Sequence, residues 1–168
     1  MKPTPAKAIE RYVAVVDTPV VAHEDVPTFA SACGIPEFWK WLPREPKTDD
    51  AVYFAGALDG VVKIGCSRNP AWRLHAMAGN PHCLPPLLVI VGSTFRHEKA
   101  IHRLFAAERV TGEFFSGPRL ALFVGAAQAR SSLSVGDCAF AGYLQSRVRF
   151  HREMQERKTR RFANGRAA

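Results

Sequence analysis

Five polar side chains spread through the middle of the chain could act on one bond: Tyr53, Lys63, Arg73, Glu98 and His102. Tyr53 precedes Lys63 by ten residues, and Lys63 precedes Arg73 by ten more. A phenol, a primary amine, a guanidinium and a carboxylate gathered on one patch suit phosphodiester hydrolysis. The carboxylate of Glu98 can hold a divalent cation that polarises the phosphate. The guanidinium of Arg73 can stabilise charge on the phosphoryl oxygens. Tyr53 or Lys63 can orient or deprotonate a water molecule. Four residues advance a helix by about 40°, so Glu98 and His102 share a face. Each residue also has a plainer reading when taken alone. Tyr53 is then a packed strand aromatic, Lys63 an edge lysine, and Arg73 a surface charge. Glu98 is then paired with Lys99 and Arg103 on a solvated helix face.

These residues need elements to bring them together. Residues 51–57, AVYFAGA, read as a strand, and Leu58-Asp59-Gly60 as the turn into a second strand, VVKIG. Ser67 or Asn69 can cap a helix over 70–78 that carries Pro70 in its first turn, with Gly79-Asn80-Pro81 ending it. LPPLLVIVGS is a third strand, buried because residues 87–91 are all apolar. FRHEKAIHRLFAAER is an amphipathic helix with Ile101, Leu104 and Phe105 on one face. Residues 112–115 form a short extended piece, and Pro118 opens a helix through Arg130. Upstream, prolines at 3, 5, 19, 27, 36, 43 and 46 keep elements short. Residues 28–42 predict one or two short helices split near Gly34-Ile35-Pro36, and 44–50 a linker. Downstream, SSLSVGD is a break before a helix over 138–161, with order ending at Asn164-Gly165. Three zones follow: a Pro-rich, partly helical extension (1–50), a folded α/β core (51–124) and a helical basic tail (125–168).

The 168 residues carry 23 Lys and Arg against 15 Asp and Glu, a net charge of +8. The excess is uneven. Lys and Arg number six against eight acids in residues 1–50, nine against five in 51–143, and eight against two in 144–168. Arg147, Arg149, Arg152, Arg157, Lys158, Arg160 and Arg161 are therefore candidate phosphate contacts, and the expected partner is nucleic acid, DNA first. A purely solubilising tail is the alternative. No run of 18 apolar residues is present, so no membrane partner is expected. The polar start, MKPTPAKAIERY, does not suit a signal peptide, so a cytoplasmic location is expected. Cys33, Cys66, Cys83 and Cys138 form no CxxC pair and read as reduced thiols. His97 and His102 lie five apart, about 140° around a helix, which rules against a shared zinc. Cys66 with His75 or His82 as a hydrolase pair lacks a third, orienting group. Phe38, Trp39 and Trp41 read as a packing cluster, with base stacking or partner docking as alternatives.

The segment VYFAGALDGVVKIGCSRNPAWRL resembles the opening of GIY-YIG nuclease domains. Val52-Tyr53-Phe54 stands where that family has GIY, and Lys63-Ile64-Gly65 where it has YIG. The likeness is closest to a phage-associated branch patterned K-I-G-x-S-x-N-x-x-x-R, then E-x-x-x-H-x-x-F, then G-E-x-F. Lys63, Ile64, Gly65, Ser67, Asn69, Arg73, Glu98, His102, Phe105, Gly112, Glu113 and Phe115 match it. The resemblance covers about residues 51–124. It implies an α/β (α+β) fold with a small three-stranded antiparallel sheet flanked by helices. It also implies metal-dependent endonuclease activity. Glu98 would be the Mg²⁺ or Mn²⁺ ligand, Tyr53 would help activate water, and Arg73 would bind the scissile phosphate. Lys63 would bind phosphate or act as the base, and His102 would orient water or touch DNA. The family's Asn after the Glu helix has no counterpart, since residues 99–120 contain no Asn. That departure motivates an alternative, a catalytically inactive nucleic-acid-binding or regulatory module of the same fold.

Overall fold

The computed structural model of the chain describes residues 5–35, 50–78 and 84–165. The expected linker over 44–49, the cluster of Phe38, Trp39 and Trp41, the stop at Gly79-Asn80-Pro81, His82 and Cys83 lie outside the described residues. The centre of the molecule is strand β2 (Ala51–Gly56), in which all six residues are buried. It lies between β3 (Val62–Ser67) and β4 (Pro86–Val91), antiparallel to both. A strand covered on both faces must be apolar throughout, which is why AVYFAG does not alternate.

Alternate residues of this strand feed two different cores. Val52 and Phe54 join Ile64, Leu88 and Ile90 on one face. Helices α2 (Val26–Ala32), α4 (Phe95–Leu104) and α5 (Pro118–Arg130) cover that face through Phe29, Ile101 and Phe123, with Phe105 just after α4. Ala51, Tyr53 and Ala55 point to the other face with Val20 and Val89. Helices α1 (Pro5–Val16), α3 (Pro70–Ala78) and α6 (Gly142–Gly165) cover it through Tyr12, Val15, Leu74, Leu144 and Val148. The result is a three-layer α/β sandwich with six α-helices among the described residues.

The mixed helix-and-strand class follows the sequence reading, but the expected three-stranded sheet does not. Among the described residues the sheet has seven strands, in the order β5-β6-β3-β2-β4-β1-β7. Strand β1 (Pro19–Ala22) comes from the Pro-rich zone and lies parallel to β4, pairing Val20 with Val89. Strand β7 (Leu133–Ser134) extends β1, and the short hairpin of β5 (Arg109–Thr111) and β6 (Phe114–Phe115) extends β3. The added strands are two to four residues long, too short for hydrophobic period to reveal. Pro19 and Pro27 sit where proline is tolerated, at the first position of β1 and in the first turn of α2. The prolines therefore punctuate regular structure here rather than excluding it.

Candidate active site

The site lies where β3 runs out of partners. Among the described residues β6 pairs with β3 at Val62 and Lys63 and the Ile64 amide donates to the Glu113 carbonyl, so the edge of β3 is open beyond Ile64. Helix α4 packs beside it on one face and α3 on the other. Between them is an open depression of about 340 Å³. Tyr53, Ser67, Arg73, Glu98 and Glu113 line it, together with Asp50, Arg68 and the Phe95 ring.

Tyr53 reaches this depression because of a glycine. It pairs across the hairpin with Gly65, and a Cβ at Gly65 would lie 2.4 Å from the Tyr53 hydroxyl. The phenol therefore lies over Gly65 and extends to the open edge, although the residue is only 2% exposed. Arg73 comes from α3, whose first turn is fixed by Asn69: its Oδ1 accepts a hydrogen bond from the Trp72 amide at 3.0 Å. Arg73 Nε points at the Tyr53 hydroxyl at 3.5 Å, the outer limit of a hydrogen bond. The Tyr53 oxygen beside it holds the guanidinium further on its charged side.

Glu98 comes from α4. Thr94 caps that helix, accepting from the Arg96 amide at 3.2 Å, while His97 Nδ1 accepts from the Thr94 amide at 2.8 Å. The Glu98 carboxyl is buried, not on the solvated face that Lys99 and Arg103 would offer. Burial pushes its pKa above the ordinary carboxylate value, and the nearby Glu113 carboxylate pushes the same way, with Lys63 and Lys99 opposing. His102, one turn on, lies with Nε2 3.8 Å from the Glu98 carboxylate. Its Nε2 is also 3.1 Å from the Ile64 carbonyl, and its ring packs on Phe115. Burial holds His102 below its usual pKa. The ring is thus set behind Glu98 against β3, outside the depression's lining.

Lys63 lies on the same face of β3 as Gly65 but pairs with Ala55, not with Tyr53. Its ammonium forms an ion pair with Glu113 from the β5–β6 turn and lies over the Phe114 ring. Glu113 is a lining residue that the chemistry of side-chain types did not single out. Its place depends on the β3–β6 register, which no local pattern announces. The hairpin bearing it is clamped by Glu108, whose carboxylate accepts from the Arg119 and Leu120 amides at 2.8 and 2.9 Å. Gly117 leaves room for that carboxylate; a Cβ there would lie 2.2 Å from it.

The remaining expectations also have definite places. Cys66 donates weakly to the Ser93 carbonyl at 3.9 Å, and burial, aided by Asp50 and Glu98, pushes its thiol up to about 11. A thiol that stays protonated is a poor nucleophile. His75 stacks on Tyr12 instead, at 4.5 Å between centroids. His97 approaches His23, with 3.3 Å between their Nε2 atoms, while His102 turns to Ile64, so the two do not face one point. Of the tail residues, Arg147 is held by the Tyr12 phenol, whereas Arg149, Arg152, Arg157, Lys158, Arg160 and Arg161 are exposed along α6.

Among the described residues no three His, Cys, Asp or Glu side chains form a metal cage. Mg²⁺ and Mn²⁺ do not need one: Mg²⁺ keeps several waters and takes one or two carboxylates plus substrate phosphate. Glu98, buried beside a second carboxylate and facing an open depression, fits that pattern. A cation there would relieve the repulsion between Glu98 and Glu113.

Residues 50–130 match the family model described as the T5orf172 domain. No curated protein and no solved structure matches the chain. The match overturns the resemblance to GIY-YIG nucleases: the family found is a different one. The shared letters have a local physical origin. Gly65 clears the way for Tyr53, and Ser67 and Asn69 shape and cap the start of α3. Among the described residues, no helix is long and apolar enough to cross a membrane.

Proposed function

We propose that this protein hydrolyses phosphodiester bonds of nucleic acid, DNA first, with Mg²⁺ or Mn²⁺ at Glu98. One observation carries the reading: Tyr53, Arg73 and Glu98, from three separate elements, line one open depression beside a strand edge. Arg73 would bind the scissile phosphate and stabilise charge on its oxygens. Tyr53, oriented by Arg73 Nε, would position the attacking water. Glu98 would hold the cation, which supplies neutralisation of phosphoryl charge when bound. His102 is a positioning residue, holding the Glu98 side of α4 against β3. Lys63 completes the charge balance through Glu113. The exposed arginines of α6 would add affinity for the phosphate backbone without reading sequence.

A second reading is binding without cleavage. It is favoured by the ion pair that occupies Lys63 and by the lack, among the described residues, of a cluster of three metal-ligating side chains. Incubation of supercoiled plasmid and labelled oligonucleotides with Mg²⁺ or Mn²⁺ separates the two. The intact chain is expected to cut, and EDTA and Glu98→Ala to abolish cutting. Equal cutting by both proteins would mean a contaminant or a misplaced site, and binding with no cutting by either would establish the second reading.

A further inference from the structure

Beside α3, a second groove of about 250 Å³ runs between that helix and α6, lined by Asn69, Trp72, Phe140, Tyr143 and Leu144. Trp72 and Tyr143 meet edge to face there, 5.9 Å apart, yet are 54% and 58% exposed. Trp72 is the immediate neighbour of Arg73. Asn69 spends its Oδ1 on the Trp72 amide, which leaves its NH₂ donor for a ligand. Further along α6, Phe150 and Met154 are also exposed. At about 100° per residue, Tyr143, Phe150, Met154, Arg157 and Arg161 fall on one stripe of the helix, about 27 Å long. Two rings therefore open this stripe and two arginines close it, and the groove at its head is lined by Trp72, the chain neighbour of Arg73.

From this juxtaposition we propose that the groove and the α6 stripe bind a single-stranded or unpaired segment of nucleic acid, stacking its bases on Trp72, Tyr143 and Phe150. The proposal rests on the phosphodiester reading for the direction of the strand, with one phosphate at Arg73 and the adjoining base in the Trp72–Tyr143 groove. Charge and shape select this occupant together. The arginines need a polyanion. Exposed rings gain nothing from a duplex, whose bases are already stacked, but each gains a partner from an unpaired base. Large exposed apolar groups are otherwise a solubility liability, and here they sit among phosphate-seeking charges.

Fluorescence anisotropy tests this with the full-length Glu98→Ala protein, without metal, so that neither cleavage nor the metal site enters the measurement. The probes are a 12-nucleotide single strand and a duplex of the same sequence at equal salt. The single strand is expected to bind at least tenfold more tightly. Trp72→Ala and Tyr143→Ala are each expected to weaken single-strand binding about 5- to 100-fold. The same substitutions should change duplex binding less than twofold and leave the salt slope unaltered. Trp72→Phe and Tyr143→Phe, which keep a ring and guard against simple misfolding, should retain most of the binding. Equal affinity for both probes, or equal losses on both, would overturn the proposal, as would concentration-dependent dimerisation abolished by Trp72→Ala with no single-strand preference. Loss of cleavage in the plasmid assay with intact single-strand preference would instead fault only the catalytic reading.

Discussion

At the scale of residues, the role proposed for Glu98 conflicts with stability. Its carboxylate is buried and repelled by Glu113, so the charged form is disfavoured in the folded chain. The penalty is present above the raised pKa and disappears as pH falls through it. Glu98→Gln is therefore expected to abolish cleavage by at least about 100-fold. The same change should stabilise the fold at neutral pH by on the order of 1 kcal/mol, roughly 2–4 °C in melting temperature. Thermal melts between pH 4 and 7.5 should show that gain shrinking toward pH 4; a loss of stability at neutral pH would contradict the account. His75 has the opposite sign. Burial, then Arg11 and Arg147, hold it below its ordinary value of 6.5. The unfolded chain takes up that proton first, so stability falls as pH drops through about 6.5. His75→Phe, which can keep the stack on Tyr12, should flatten this decline in pH-dependent melts. The chemistry-bearing types at Tyr53, Arg73 and Glu98 were legible in the sequence. Glu113 was visible as a motif letter but without a role, because its pairing with Lys63 follows from the β3–β6 register.

At the scale of elements, the hairpin and its following helix make the site, and Gly65 is the point where they can be broken. Gly65→Ala is expected to push the Tyr53 ring off the strand edge, since the added Cβ would lie 2.4 Å from its hydroxyl. The fold should survive at a cost of about 1–3 kcal/mol, measured by denaturant unfolding, while cleavage falls far more than stability. Cleavage at the wild-type rate would show that the phenol is not needed where it lies. The spans of α3 and α5 were close to those the sequence implies, because proline, asparagine and apolar spacing mark them locally. Helix α1 and strand β1 were not found. The prolines at 3, 5 and 19 hid them, whereas in the fold Tyr12 and Val15 join a core shared with α6 and Val20 pairs with Val89. A four-residue strand in a Pro-rich stretch has no local signature; its partner supplies the reason for its existence.

At the scale of the whole molecule, one sheet takes strands from the N-terminal zone, the core and the segment after α5. The sequence divides by composition, whereas the sheet unites by pairing. The basic tail divides again: Val148 is buried and His151 stacks on Tyr12, but every described side chain from Arg152 to Arg161 is exposed. Deleting residues 152–168 should therefore leave melting behaviour nearly unchanged while weakening nucleic-acid binding. It should also lower the slope of log affinity against log salt, by at most about 0.9 for each phosphate contact removed. An unchanged slope would show that the tail only solvates. The central claim is that side chains from β2, α3 and α4 act as one centre on one phosphodiester. Its most direct measurement is the single-turnover cleavage rate at saturating DNA and Mg²⁺ for Tyr53→Phe, Arg73→Ala and Glu98→Gln, singly and combined. Each single change is expected to cost about 10²-fold or more, and the triple variant to be little worse than the worst single. Single variants that cut at the intact protein's rate, or losses that multiply independently, would contradict it.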